Sequence, residues 1–190
     1  MAFFSQDWFS HHIPRWNIWL SKFVGQPNLN FMEIGSYEGR SCLWLLENVL
    51  TDPSSKITCL DWFWDQAYHQ KNGKSLEDSF HENLYGYLDR ISVYCGRSFD
   101  SLLKLQNKQI IYDFIYIDGS HEQIDVLNDM MLSFQLLKVG GLMVMDDYHY
   151  KTQGMKEDPS IAIDAFINVY NKKIKVIYLG CQVAIERCSV

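Results

Sequence analysis

The sequence predicts an α/β protein: a Rossmann-like, doubly wound sheet of about seven strands, mostly parallel, ending in a C-terminal antiparallel hairpin, with helices on both faces. Three observations predict it. Five short apolar runs alternate with segments of helical spacing. The first run passes through glycines directly into a helix. Three of the five runs end in aspartate.

With 190 residues the chain suits one domain, an aromatic helical segment over 1–28 capping a Rossmann-like core over 29–190. A formal charge of −6 argues against binding driven by nucleic-acid phosphates. No apolar run approaches the roughly 18 residues of a membrane span, and the N-terminus lacks the pattern of a secretory signal. Cys42, Cys59, Cys95, Cys181 and Cys188 are odd in number and form no Cys-x-x-Cys pair. They read as reduced thiols without a zinc site, and the chain as cytoplasmic, binding neither nucleic acid nor membrane. A homo-oligomer is compatible with the sequence, which does not specify one.

Residues 5–24 hold Trp8, Phe9, Ile13, Trp16, Ile18, Trp19, Leu20 and Phe23. Pro14 suits a first helical turn, and Gly25 with Pro27 closes the segment. This helix covers an edge of the fold or walls an acceptor pocket; His11 and His12, just before it, read as surface residues. Residues 30–34 form the first strand. Gly35 and Gly39 follow, and Leu43, Leu46, Val49 and Leu50 mark a helix over 40–50. A turn at Asp52-Pro53 leads to a second strand over 56–60, ending in Asp61-Trp62-Phe63-Trp64. Residues 65–74 are polar, contain Asn72-Gly73, and read as a loop. Ser75 opens a helix with Leu76, Phe80 and Leu84 on its apolar face.

A third strand over 91–94 precedes Gly96-Arg97-Ser98-Phe99-Asp100 and a short helix to Leu105. The fourth, 112–117, is apolar or aromatic almost throughout, as a strand buried on both faces should be. It ends at Asp118-Gly119-Ser120-His121. Ile124, Leu127, Met131, Phe134 and Leu137 mark the next helix, which Gly140-Gly141 stops. The fifth strand, 142–145, ends at Asp146-Asp147. A polar loop to Pro159, a helix over 160–170, and a hairpin of 174–179 with 182–186 complete the chain.

The chemistry gathers at the strand ends. Tyr37 stands where a dinucleotide fingerprint needs its second glycine, and no Gly-Lys-Ser/Thr is present. A ligand with adenosine but no phosphates fits better, S-adenosylmethionine foremost. Asp61 lies where such folds bind ribose hydroxyls, or else caps the following segment. The aromatics beside it either flank an adenine or pack in the core. Asp118, Asp146 and Asp147 end neighbouring strands, where three carboxylates call for a cation such as Mg²⁺.

These segments resemble class I S-adenosylmethionine-dependent methyltransferases. Residues 33–41, Glu-Ile-Gly-Ser-Tyr-Glu-Gly-Arg-Ser, look like their first motif, and Ile-Tyr-Ile-Asp-Gly-Ser-His like their fourth. The nearest group is the metal-dependent small-molecule O-methyltransferases that act on macrolide sugars and catechols. The resemblance implies cofactor contacts at Glu33, Gly35, Ser36, Tyr37, Gly39, Ser41, Asp61, Trp62 and Asp118, and an adenine contact at Ser98. It places metal ligands at Asp118, Asp146 and Asp147, and a general base at His121, with Asp118 also catalytic. The expected reaction is methylation of a hydroxyl of a small-molecule acceptor. A non-catalytic sensor or assembly protein of the same fold is the alternative; an NAD-dependent oxidoreductase is disfavoured by the glycine pattern.

Overall fold

The computed structural model describes residues 2–149 and 158–189. Its strands are β1 (Asn30–Ile34), β2 (Lys56–Asp61), β3 (Ile91–Cys95), β4 (Tyr112–Ile117), β5 (Leu137–Met145), β6 (Ile174–Leu179) and β7 (Val183–Arg187). They form one sheet in the order β3-β2-β1-β4-β5-β7-β6. β1 to β5 run parallel, and β7 is antiparallel to both β5 and β6. The order reverses between β1 and β4, so a crevice opens there beyond the carboxyl ends of the strands.

The strand period of two divides the core. Phe31, Phe114, Tyr116, Val144 and Ala184 face one side, against α1 (Ile13–Trp19), α2 (Arg40–Asn48) and α4 (Leu76–Asn83). Met32, Ile34, Ile115, Ile117, Met143 and Ile185 face the other, against α5 (Ser98–Gln106), α6 (Gln123–Leu136) and α7 (Pro159–Tyr170). No helix among the described residues is long and apolar enough to cross a membrane.

The structure departs from the sequence reading in three places. Within residues 65–74 lies a helix, α3 (Gln66–Asn72), rather than a loop. The Asp65 side chain accepts from the Tyr68 N–H at 2.8 Å, and Gly73 closes the helix at φ 70°. Only Tyr68 of α3 is buried, so no apolar stripe announces it. Second, β5 begins at Leu137, and Gly140-Gly141 lies inside it rather than ending the preceding helix. Gly140 adopts φ 80°, and a Cβ on Gly141 would stand 3.0 Å from the Asp113 carbonyl oxygen. The glycines thus permit the bulge that takes pairing from Tyr112–Leu137 to Phe114–Leu142. Third, α6 buries Val126, Met130 and Phe134, while Ile124 is 74% exposed. Most of the polar loop expected before Pro159, residues 150–157, lies outside the described residues.

Gly35, just past β1, lies against the backbone just past β4. Its φ is 83°, and a Cβ there would fall 1.9 Å from the Asp118 carbonyl oxygen. Gly73, at φ 70°, faces open space: a Cβ there would meet nothing within 4 Å. It carries the same backbone strain without the collision. Gly73→Ala is expected to lose about 1 kcal/mol and Gly35→Ala at least about 2 kcal/mol more, read by urea unfolding. Equal losses would contradict the close approach.

Candidate active site

The turn after β1 is organised by a carboxylate from β2. Asp61 Oδ2 accepts from the backbone N–H groups of Ser36 at 2.7 Å and Tyr37 at 2.8 Å. Its Oδ1 accepts from the Phe63 N–H at 2.6 Å. Asp61 therefore caps the segment that follows it and gathers the glycine turn as well. A carboxylate offers about four lone-pair positions, so three backbone donors leave room for one more. Gly39 opens α2 at φ 83°, where a Cβ would meet Leu84 Cδ1 at 2.8 Å. Both motif glycines are thus required by protein packing, Gly35 against the β4 end and Gly39 against α4, before any ligand is considered.

A cavity of about 960 Å³ lies over the turn. Gly35, Tyr37, Asp61, Trp62, Ser98, Asp118, His121 and Asp147 line it, bringing together eight of the residues singled out from sequence. Trp62 is 57% exposed at its rim, and the Arg97 guanidinium stands over its ring, 5.7 Å from the centroid. Glu33, Ser36, Gly39 and Ser41 do not line the cavity; they are buried beneath the turn. There the Glu33 carboxyl takes a hydrogen bond from Ser41, and the sulfurs of Cys42 and Cys59 lie 3.6 Å apart beside it. Burial drives the Glu33 carboxyl up to about 7, with the Ser41 hydroxyl opposing the shift.

Asp118 and Asp146 meet at one hydroxyl. Tyr116 Oη lies within hydrogen-bonding distance of an oxygen of each, 2.9 Å from Asp118 Oδ2. A phenol has one proton and cannot donate to both. Burial, and then the charges of Asp146 and Asp147, hold the Asp118 carboxyl well above the usual carboxylate range. The Tyr116 hydroxyl therefore donates to one carboxylate at a time, Asp118 or Asp146. The phenol stays protonated because burial, foremost, pushes it well above its ordinary value.

Asp147 adopts φ 59°, and its Oδ2 lies 2.8 Å from His121 Nε2. The two residues expected as ligand and base therefore pair with each other. A second cavity of about 260 Å³ adjoins the first, sharing Trp8, Asp118 and Asp147 with it and adding Asp146 and His12. His12 is a correction to the sequence reading. It is buried, 3% exposed, with Nε2 3.5 Å from Asp146 Oδ2 and no partner for Nδ1. Burial lowers its pKa, against the pull of Asp146.

The oxygen-rich donor set at Asp118, Asp146 and Asp147 suits a hard divalent cation, and a cation would offset the neighbouring charges that raise the Asp118 carboxyl. The three are not drawn together around one point. Among the described residues, the group of such side chains with ligand atoms within 4.8 Å of one another is Glu33, Cys42 and Cys59. Closing an ion site at the strand ends requires Asp147 to turn from His121. Sequence reasoning misses Tyr116, His12 and Gln182, whose side-chain amide donates to Asp146 Oδ2 at 2.7 Å. Strand alternation carries a signal for Tyr116 alone, placing it on the face opposite Ile115 and Ile117.

A family model described as a methyltransferase domain matches residues 32–148. The chain is 29% identical over 160 residues to the uncharacterized protein R132 of Acanthamoeba polyphaga mimivirus, covering 82% of this chain and 69% of that one. It is 25% identical over 146 residues to the carboxy-S-adenosyl-L-methionine synthase of Hamiltonella defensa, covering 75% of this chain and 49% of the synthase. Among solved structures, an O-methyltransferase from Bacillus cereus in complex with SAH superposes with a TM-score of 0.71 at 17% identity, covering 96% of this chain and 84% of that one. The MycE methyltransferase of the mycinamycin biosynthetic pathway, in complex with Mg, SAH and mycinamycin VI, gives 0.68 at 15% identity. That match covers 97% of this chain but 50% of MycE. At these identities the structural likeness is one of fold.

The buried Glu33 carboxyl sets a pH dependence. Between the ordinary value of 4.5 and about 7, the unfolded chain has released this proton and the folded chain has kept it. Stability therefore falls as pH rises through that window, and above it the loss is complete. Glu33→Gln is expected to make the fall shallower, measured by urea unfolding at pH 5, 6, 7 and 8 (about one pH unit apart, the scale on which a single site titrates). Parallel profiles for the two proteins would remove Glu33 as a source.

Proposed function

The chain belongs to the methyltransferase-domain family, and on that premise we propose that it transfers a methyl group from S-adenosylmethionine to a hydroxyl oxygen of a small molecule. The observation that carries this reading is the cavity at the strand ends, which Gly35, Asp61, Ser98, Asp118 and His121 line together. The bound groups of the similar folds support it: SAH in the Bacillus cereus enzyme, and Mg with SAH in MycE. The cavity is of the size that holds a small ligand and its co-substrate.

In this reading the adenosine lies along the ends of β1, β2 and β3. Asp61 accepts one ribose hydroxyl with its remaining lone pair, and Ser98, the first residue of α5, faces the adenine beside Trp62. The acceptor enters from the side of Trp8 and His12. A divalent cation held by Asp118, Asp146 and Asp147 would make the acceptor hydroxyl more acidic. His121 takes the hydroxyl proton. The oxygen attacks the methyl carbon in line; the new O–C bond forms as the C–S bond breaks, and the sulfonium leaves as the neutral thioether. The protein's main contribution is to hold donor and acceptor at reacting distance and alignment.

The test is methyl transfer from S-adenosylmethionine to a panel of catechols and glycosides, with and without chelator. His121→Ala is expected to lose turnover by about 10²–10⁴-fold while S-adenosylhomocysteine affinity stays as in the wild type. Chelation should stop transfer without displacing S-adenosylhomocysteine. A normal rate for His121→Ala removes the base, and full activity in chelator removes the cation.

A further inference from the structure

The N-terminal helix and the C-terminal hairpin meet the strand-end carboxylates through a chain of buried and half-buried hydrogen bonds. The Trp16 indole N–H, from α1, donates to Gln182 Oε1 at 3.0 Å. Gln182 Nε2, from the turn between β6 and β7, donates to Asp146 Oδ2 at 2.7 Å. The same oxygen receives the Tyr116 hydroxyl. Trp16 and Gln182 are both 0% exposed, so the bond between them is shielded from water. The Trp16 ring also stands edge-on to the Tyr116 ring, with centroids 4.8 Å apart at 89°.

The chain of bonds has a direction. A glutamine amide presents an acceptor at one end and donors at the other, and turning it over exchanges them. An indole N–H only donates. Trp16 therefore fixes the amide with its oxygen toward α1 and its NH₂ toward Asp146. Without the indole N–H, the amide could present its oxygen to the carboxylate, replacing attraction with repulsion. The turn is held as well: the Tyr148 N–H, two residues past Asp146, donates to the Cys181 carbonyl at 3.0 Å.

We propose that Gln182, its amide oriented by the Trp16 indole, is a positioning residue for the Asp146 carboxylate. Trp16 and Gln182 act as one unit, and α1 belongs to the site's machinery rather than merely covering an edge. The proposal rests on the reading of Asp146 as a cation ligand. Removing a partner that orients a ligand from behind typically costs about 10–100-fold in metal affinity.

The experiment uses the full chain with Trp16→Phe, which keeps an aromatic ring and loses the N–H, and Gln182→Met, which keeps length and loses both amide groups. Mn²⁺ affinity is read by electron paramagnetic resonance, the Gln182 side-chain amide by ¹⁵N NMR, and fold integrity by S-adenosylhomocysteine calorimetry. Each single variant is expected to weaken Mn²⁺ binding by about 10–100-fold with S-adenosylhomocysteine affinity unchanged. The double variant should be no weaker than Gln182→Met alone, because the indole acts only through the amide. In Trp16→Phe the two Gln182 amide proton resonances should shift and exchange faster. Losses that multiply in the double variant would overturn the proposal, as would Trp16→Phe with wild-type amide resonances. A wild-type chain that takes up no Mn²⁺ would sink the cation reading, and the amide resonances would then decide the relay alone.

Discussion

The site depends on the Asp61 carboxylate. Two turn amides, from Ser36 and Tyr37, converge on one of its oxygens, and the Phe63 amide on the other. Hydrogen bonds to an ionised acceptor are among the stronger ones in a protein, about 1.5–3 kcal/mol each. Here they join the ends of β1 and β2 and fix a turn in which Gly35, Tyr37 and Gly39 all have positive φ. The Gly35 backbone can then lie against the Asp118 carbonyl, and the crevice at the reversal of strand order takes its shape. One carboxylate thus organises the protein before it meets a ligand, and only part of its hydrogen-bonding capacity remains for one.

At the other end of the crevice, negative charge is managed by sharing. Tyr116 stands between Asp118 and Asp146, its one hydroxyl within reach of both carboxylates as a donor. The neighbouring Asp147 turns to His121. Left to themselves, these side chains hydrogen-bond to one another. A bound cation and an acceptor hydroxyl would have to exchange those internal partners for new ones.

Much of this is legible in the sequence, for physical reasons that differ by element. The turn after Ile34, the aspartates after β2, β4 and β5, and the closing hairpin stand out because apolar runs end abruptly at glycine or aspartate. The helix α3 is hidden because it buries one tyrosine and is otherwise polar, so its evidence lies in its caps, Asp65 and Gly73. Gly140-Gly141 misleads because a glycine pair ends helices far more often than it bends a strand. His12 and Gln182 cannot be read at all. Each is polar in its own neighbourhood and joins the site only when the N-terminal segment and the C-terminal turn both reach Asp146. The roles of individual residues come from resemblance, and the structure supplies the hydrogen bonds that constrain them.

The measurement that bears most directly on this account is calorimetric titration of the full chain with S-adenosylhomocysteine and, separately, with NAD. In the crevice shaped by Asp61 and Gly35, Tyr37 stands where a dinucleotide fingerprint needs its second glycine. The account predicts one S-adenosylhomocysteine bound per chain and no binding of NAD. Binding of NAD in preference, or no heat from S-adenosylhomocysteine with the protein folded, would contradict it.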